Sequence, residues 1–279
     1  MAAEAADDDD DTSEFDRFLT GLGRGVAGAL FLALPMLMTM EMWYLGFYIA
    51  RERLLLLLLL NIPLLILLAH RIGFERTFTW PEAIRDATIA YGIGIVTSLV
   101  VLAALGLLEH DMPADELVGK VALQSVPASI GAMLGRSQFG RGTGGSDAET
   151  PYHTELLLMA VGALFLSLNI APTDETVVLA YQMTTWHALA VALLSMALMH
   201  GFVYAVSFIG GHELSPQTPW WHAFVRFTLP GYVIALATSY TVLWIFERID
   251  DSSAVEAMLS VIVLSFPAAL GAAAARLIL

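Results

Sequence analysis

Cysteine is absent from the 279 residues and lysine occurs once, at Lys120. The first absence removes disulfides and thiolate metal sites. The second leaves a single amine, near a helix end rather than in mid-membrane, so a retinal Schiff base is excluded. Basic residues of both kinds number only thirteen, too few for a surface selected by a phosphate backbone, so no nucleic-acid partner is expected. Catalytic signatures are missing as well. There is no His-Glu-x-x-His zinc motif, no Gly-x-Ser-x-Gly elbow, and the glycine run from Gly140 to Gly145 lacks the lysine of a phosphate loop. No enzyme, no ATP-driven pump and no cofactor is expected.

What is present is apolar: 57% of the residues are hydrophobic, 14% are charged and mean hydropathy is +0.70. A soluble fold of this length could not hide that surface, so the chain belongs in a lipid bilayer. Apolar segments fall at about 25–50, 54–70, 85–108, 117–135, 156–182, 186–209, 223–246 and 255–279, most of them long enough for a ~30 Å hydrocarbon core. The expected fold class is all-α, a polytopic membrane bundle of about eight transmembrane helices. The net charge of −14 owes much to Glu4, Asp7 to Asp11, Glu14 and Asp16, a self-repelling run that reads as a disordered cytoplasmic tail over 1–20. This acidic start is unlike the basic start of a secretory leader, so the first helix is expected to be retained.

The chain also resembles itself. Gly28-Ala-Leu-Phe-Leu-Ala-Leu followed by Thr39-Met-Glu41 matches Gly162-Ala-Leu-Phe-Leu-Ser-Leu followed by Thr173-Asp-Glu175, 134 positions on. Arg85 with Thr97-Ser98 matches Arg226 with Thr238-Ser239. Ser125-Val-Pro127 through Gly131 to Arg136 matches Ser265-Phe-Pro267 through Gly271 to Arg276, with Glu116 and Glu256 ahead of them at the same offset of 140. These landmarks imply a four-helix repeat over 21–136, a glycine-rich cytoplasmic linker over 137–154 and a second four-helix repeat over 155–279. An even number of helices makes the two repeats parallel. Lys and Arg beside the helix ends place both termini in the cytoplasm of a cell (inner) membrane: nine (Arg17, Arg24, Arg71, Arg76, Arg85, Arg136, Arg141, Arg226, Arg276) fall on that side, against Arg51, Arg53, Lys120 and Arg248.

A carboxylate within such a helix costs roughly 2.5–3.5 kcal/mol at the bilayer centre on insertion scales, so a copy in each half asks for a reason. Pro35 and Thr39 precede Glu41 on the same helix, and a proline frees a carbonyl one turn back, so oxygen ligands can gather where the carboxylate points; Pro172 with Thr173 and Asp174 reads as a helix stop followed by a new N-cap before Glu175. That break lies either at membrane depth or in an outer loop. Glu41 and Glu175, joined by Asp174 and the hydroxyls of Thr39 and Thr173, form an oxygen set suited to a hard cation or a shared proton, and a metal, if one binds, is expected at Glu41 and Glu175. Met36, Met38, Met40 and Met42 suggest Cu(I) chemistry, but their counterparts are not methionine and packing is the plainer role. His200 is deep enough for a proton relay, although a satisfied core histidine is the commoner case. Pro127 and Pro267 are helix-break or hinge positions, as are Pro35 and Pro172.

Pro35-x-x-x-Thr39-x-Glu41-x-Trp43 and Pro172-Thr-Asp-Glu175 resemble an uncharacterised family of prokaryotic integral membrane proteins of unknown function. The resemblance implies a membrane protein and brings no substrate. The residues themselves suggest a cation or proton pathway, a channel or secondary transporter, with a paired-carboxylate site where the repeats meet. The alternatives are a non-transporting sensor, accessory subunit or scaffold, and a lipid-processing membrane enzyme. Expected partners are the lipid bilayer and a cation or proton, with a homo-oligomer left open.

Overall fold

A lipid interior offers no water to unpaired backbone groups, so a chain this apolar is expected to be helical throughout. The computed structural model describes residues 2–72, 79–109, 111–140, 151–205 and 220–278, and among them there are helices and no strands. In chain order these are α1 (Ala2–Leu37), α2 (Met40–Tyr48), α3 (Arg51–Ile72), α4 (Trp80–Ala104), α5 (Ala114–Gly140), α6 (Tyr152–Ile170), α7 (Glu175–Gln182), α8 (Thr185–Ala205), α9 (Trp220–Ala223), a π-helical turn (Phe224–Thr228), α10 (Leu229–Ile245) and α11 (Ala254–Ile278). Among the described residues, eight segments are long and apolar enough to cross a membrane: Leu19–Leu37 of α1, α3, α4, α5, α6, α8, the π turn with α10, and α11.

Two sequence expectations need correction. The segment 25–50 is not one helix: α1 stops at Leu37, and Glu41 opens the separate nine-residue α2. The backbone is helical from Ala2, where a disordered tail was expected. Most of the expected linker, residues 141–150, lies outside the described residues.

The chain divides into two units, residues 1–47 with 54–144, and residues 48–53 with 145–279. In the first, α5 is the hub, packed against α1 and α4, and 78% of its span is buried against 28–39% for the spans of α1, α3 and α4. Lipid tails are as apolar as leucine, so helices associate through close packing of small residues. Gly28 of α1 lies against Gly131 and Gly135 of α5 so tightly that a Cβ on Gly28 would sit 2.5 Å from Gly135 Cα. The leucine run of α3 turns Leu55, Leu56, Leu59 and Leu60 outward, while Asn61 is 2% exposed. Polar in and apolar out is the reverse of a soluble helix.

In the second unit α11 is the hub, packed against α6, α7, α8 and α10. Ala268, Ala269, Ala272 and Ala273 form its buried face, and Gly162 of α6 meets Gly271 with backbone against backbone. The segment 48–53 is held within this unit by Arg53, which pairs with Asp250 at 2.7 Å, and by Glu247 Oε1, which accepts the Ala50 N–H at 2.6 Å. Glu247 has φ 62°, a left-handed conformation that glycine usually supplies at a helix C-terminus.

Gly28→Ala and Gly162→Ala are each expected to lower the melting temperature of the detergent-purified protein, by an overpacking cost of about 1–3 kcal/mol or more. Gly92→Ala, where a Cβ meets nothing within 4 Å, should leave it unchanged or raise it. Equal melting of all three would refute the backbone contacts.

Candidate functional site

Breaking a helix inside a membrane releases carbonyls that must find donors. α1 ends two residues after Pro35, which has no N–H to give to the carbonyl one turn back, and the carbonyls of the last turn lose their helical donors. Three of these are bonded by side chains, and Met36 O also accepts the Thr39 N–H at 3.1 Å. Thr39 Oγ1 donates to Pro35 O at 2.6 Å, Gln124 Nε2 of α5 donates to Met36 O at 3.1 Å, and Trp43 Nε1 donates to Leu37 O at 2.7 Å. The Pro35, Thr39 and Trp43 spacing of four residues is thus a device for ending one helix and starting another. Glu41 sits in the first turn of α2, half-buried, with no hydrogen bond or ion pair among the described residues.

The second unit repeats the plan with different chemistry. α6 ends at Ile170, where Thr173 Oγ1 donates to Ile170 O at 2.8 Å and Asn169 Nδ2 donates to Phe165 O at 2.7 Å. Asp174 is the N-cap of α7, as its sequence position implied, but its side chain makes no capping bond. It is taken instead by Arg248 at 2.7 Å. Glu175, in the first turn of α7, is exposed. Thr39 and Thr173 both spend their hydrogens on carbonyls, so only hydroxyl lone pairs remain for a ligand. Glu41 belongs to the first unit and Asp174 with Glu175 to the second. Among the described residues no group of three His, Asp or Glu side chains is placed to hold a metal ion.

His200 Nδ1 lies 3.0 Å from Thr228 Oγ1 and its ring meets Phe224 edge-on, both in the π turn. That turn has a local cause. Pro230 cannot donate to Arg226 O one turn back, and the Tyr152 hydroxyl of α6 donates to it instead at 2.8 Å, while the Arg226 guanidinium stands 5.2 Å over the Tyr152 ring. Pro127 and Pro267 lie inside the continuous helices α5 and α11. Beside them Ser125 Oγ donates to Ala122 O at 2.7 Å and Ser265 Oγ to Ile262 O at 2.8 Å.

Several residues that sequence reasoning did not single out complete the picture. In the first unit the Tyr91 hydroxyl meets Ser125 and Asn61, and Asn61 Nδ2 donates to Ser129 Oγ at 2.9 Å. In the second, the Tyr232 hydroxyl lies 3.2 Å from Ser265 Oγ. Both tyrosines stand six residues after the matched Arg85 and Arg226, so extending that match would have found them. Gln124 carries no such signal, because its counterpart at an offset of 140 is Leu264. Two buried acids were also missed: Asp86, 8% exposed and 3.6 Å from Arg85, and Glu155, 4% exposed.

Residues 21–279 match the family described as "Putative integral membrane protein (DUF2391)", and the chain belongs to that family. No curated protein and no solved structure matches it.

Trp43→Phe and Tyr152→Phe each leave one carbonyl without its donor, at a cost of about 1–3 kcal/mol. Both are expected to lower the melting temperature, whereas Tyr181→Phe, at a side chain 61% exposed, should not. Melting of Trp43→Phe at the wild-type temperature would count against the capping role of the indole.

Proposed function

We propose that this member of the family is a membrane pathway for a cation or proton, a channel or secondary transporter, in which Glu41 and Glu175 are the acidic ligands of the moving charge. The chain is an integral membrane protein in contact with the lipid bilayer. The observation that carries the reading is Glu41, a half-buried carboxylate without an ionic partner at an interruption between two apolar helices. A carboxylate in that setting is costly to keep unless something positive visits it, and interrupted helices present both backbone oxygens and helix ends to ions. Asp174 is a weaker ligand on this reading because Arg248 already neutralises it.

The reading includes a duplicated origin for the two units. Its support is that sequence-matched positions make the same contacts: Gly28 on Gly131 and Gly162 on Gly271, Tyr91 with Ser125 and Tyr232 with Ser265. It also places both termini in the cytoplasm. Three of the four basic residues assigned to the outer face are in ion pairs, Arg53 with Asp250, Lys120 with Glu116 and Arg248 with Asp174, which suits a side where unpaired positive charge is avoided.

The test is flux from liposomes holding the purified protein under separate Na⁺, K⁺, Ca²⁺ and proton gradients. Glu41→Gln and Glu175→Gln are each expected to lower the flux at least tenfold, and additivity in the double variant reads whether they act together. Unchanged flux in either variant removes that residue from the pathway. No flux of any kind in the wild type would move the protein to a sensor, accessory subunit or scaffold.

A further inference from the structure

Buried amide side chains in a lipid-facing bundle are costly unless every polar atom has a partner. In the first unit two of them fall short. Gln124 and Asn61 are 1% and 2% exposed, and Gln124 Oε1 and Asn61 Oδ1 have no hydrogen-bond partner. Their orientation follows from the neighbours. Met36 O can only accept, so Gln124 must turn its NH₂ toward it and leave Oε1 free. Ser129 Oγ spends its hydrogen on Val126 O at 2.8 Å, so Asn61 must likewise present its NH₂ there. What remains in both cases is an oxygen with nothing to accept.

Of the two, Gln124 is at the interrupted helix. Its amide holds the Met36 carbonyl, between the Pro35 and Leu37 oxygens that the end of α1 leaves to Thr39 and Trp43, and five residues before Glu41. It lies at the middle of the Ala114–Gly135 span. We infer that Gln124 Oε1, together with the remaining lone pairs of the Pro35 and Leu37 carbonyls at the end of α1 and the Glu41 carboxylate, forms a binding site for a monovalent alkali cation within the first unit alone. This rests on the proposed cation pathway and gives it a charge preference and a side. One carboxylate among neutral oxygens balances a single positive charge, whereas Ca²⁺ usually gathers several carboxylates. The matched position in the second unit is Leu264, Asp174 there is bound to Arg248, and Glu175 is exposed, so the second unit lacks the neutral donor that defines the site.

The experiment is thermal unfolding of the full-length purified protein against Na⁺ or K⁺ concentration, with N-methylglucamine holding ionic strength, and a parallel Ca²⁺ series. Wild type is expected to be stabilised by Na⁺ or K⁺ in a saturable way. Gln124→Leu and Glu41→Gln should raise the half-saturating concentration at least tenfold, and Tyr181→Phe, at an exposed side chain, should change it by less than twofold. Gln124→Leu also removes the donor to Met36 O, so Gln124→Glu serves as the second variant. It keeps an oxygen in place, adds a charge, and should shift preference from the monovalent ion toward Ca²⁺. No saturable response to Na⁺ or K⁺ in wild type overturns the inference, as does an unshifted preference in folded Gln124→Glu. A Ca²⁺ response that needs both Glu41 and Glu175 overturns it while leaving the wider cation pathway standing. Saturable Na⁺ or K⁺ binding that needs Gln124, without flux, would instead retain the site and remove the pathway.

Discussion

Everything distinctive about this chain follows from one constraint: within lipid, a backbone carbonyl that loses its helical N–H must be given another donor by the protein. The end of α1 and the π turn both obey it: the last carbonyls of α1 are bonded by Thr39, Trp43 and Gln124, and the Arg226 carbonyl that Pro230 cannot serve is bonded by Tyr152. These side chains are polar because the helices they serve are broken. The pairing of a proline with a distant hydroxyl, indole or amide is therefore a structural unit, and it uses much of the little polarity the chain carries in its spans.

The second requirement is close approach. With no hydrophobic drive between helices in lipid, α5 and α11 become hubs through glycine and alanine. Gly131 and Gly135, and Gly271 with its alanine neighbours, bring neighbouring backbones into contact. Large apolar residues are pushed to the outside, as the leucine run of α3 illustrates. Rigid hubs matter for the site, since the Gln124 amide can hold Met36 O only if α5 is fixed against α1.

Much of this was legible in the residues. Hydropathy gave the eight spans, and Pro172 announced the end of α6. The break after Pro35 was not anticipated, because Thr39 and Glu41 are single polar residues in an otherwise apolar run from 25 to 50, and a proline alone kinks more helices than it ends. What ends this one is a set of three side chains, one of them eighty-nine residues beyond Pro35 in Gln124. Local pattern carries no information about a donor from another helix. For the same reason the capture of Asp174 by Arg248 was invisible, since nothing in Pro-Thr-Asp-Glu indicates an arginine seventy-four residues away.

The matched halves also differ where chemistry is concerned, and the differences point one way. On the proposed duplication, Asn61, Gln124 and Ser129 correspond to Ser195, Leu264 and Ala269. Ser195 folds its hydroxyl back onto Val191 O at 2.7 Å, and the other two have no polar side chain. The second unit lacks amides at these positions but has the Tyr232 to Ser265 contact and the glycine packing. Shared features are those a membrane helix needs in order to pack. The polar surplus of the first unit ties α5 to α1 and α3 through Gln124 and Asn61 and still leaves two buried oxygens unpartnered, a cost of the kind a protein keeps where a ligand offsets it.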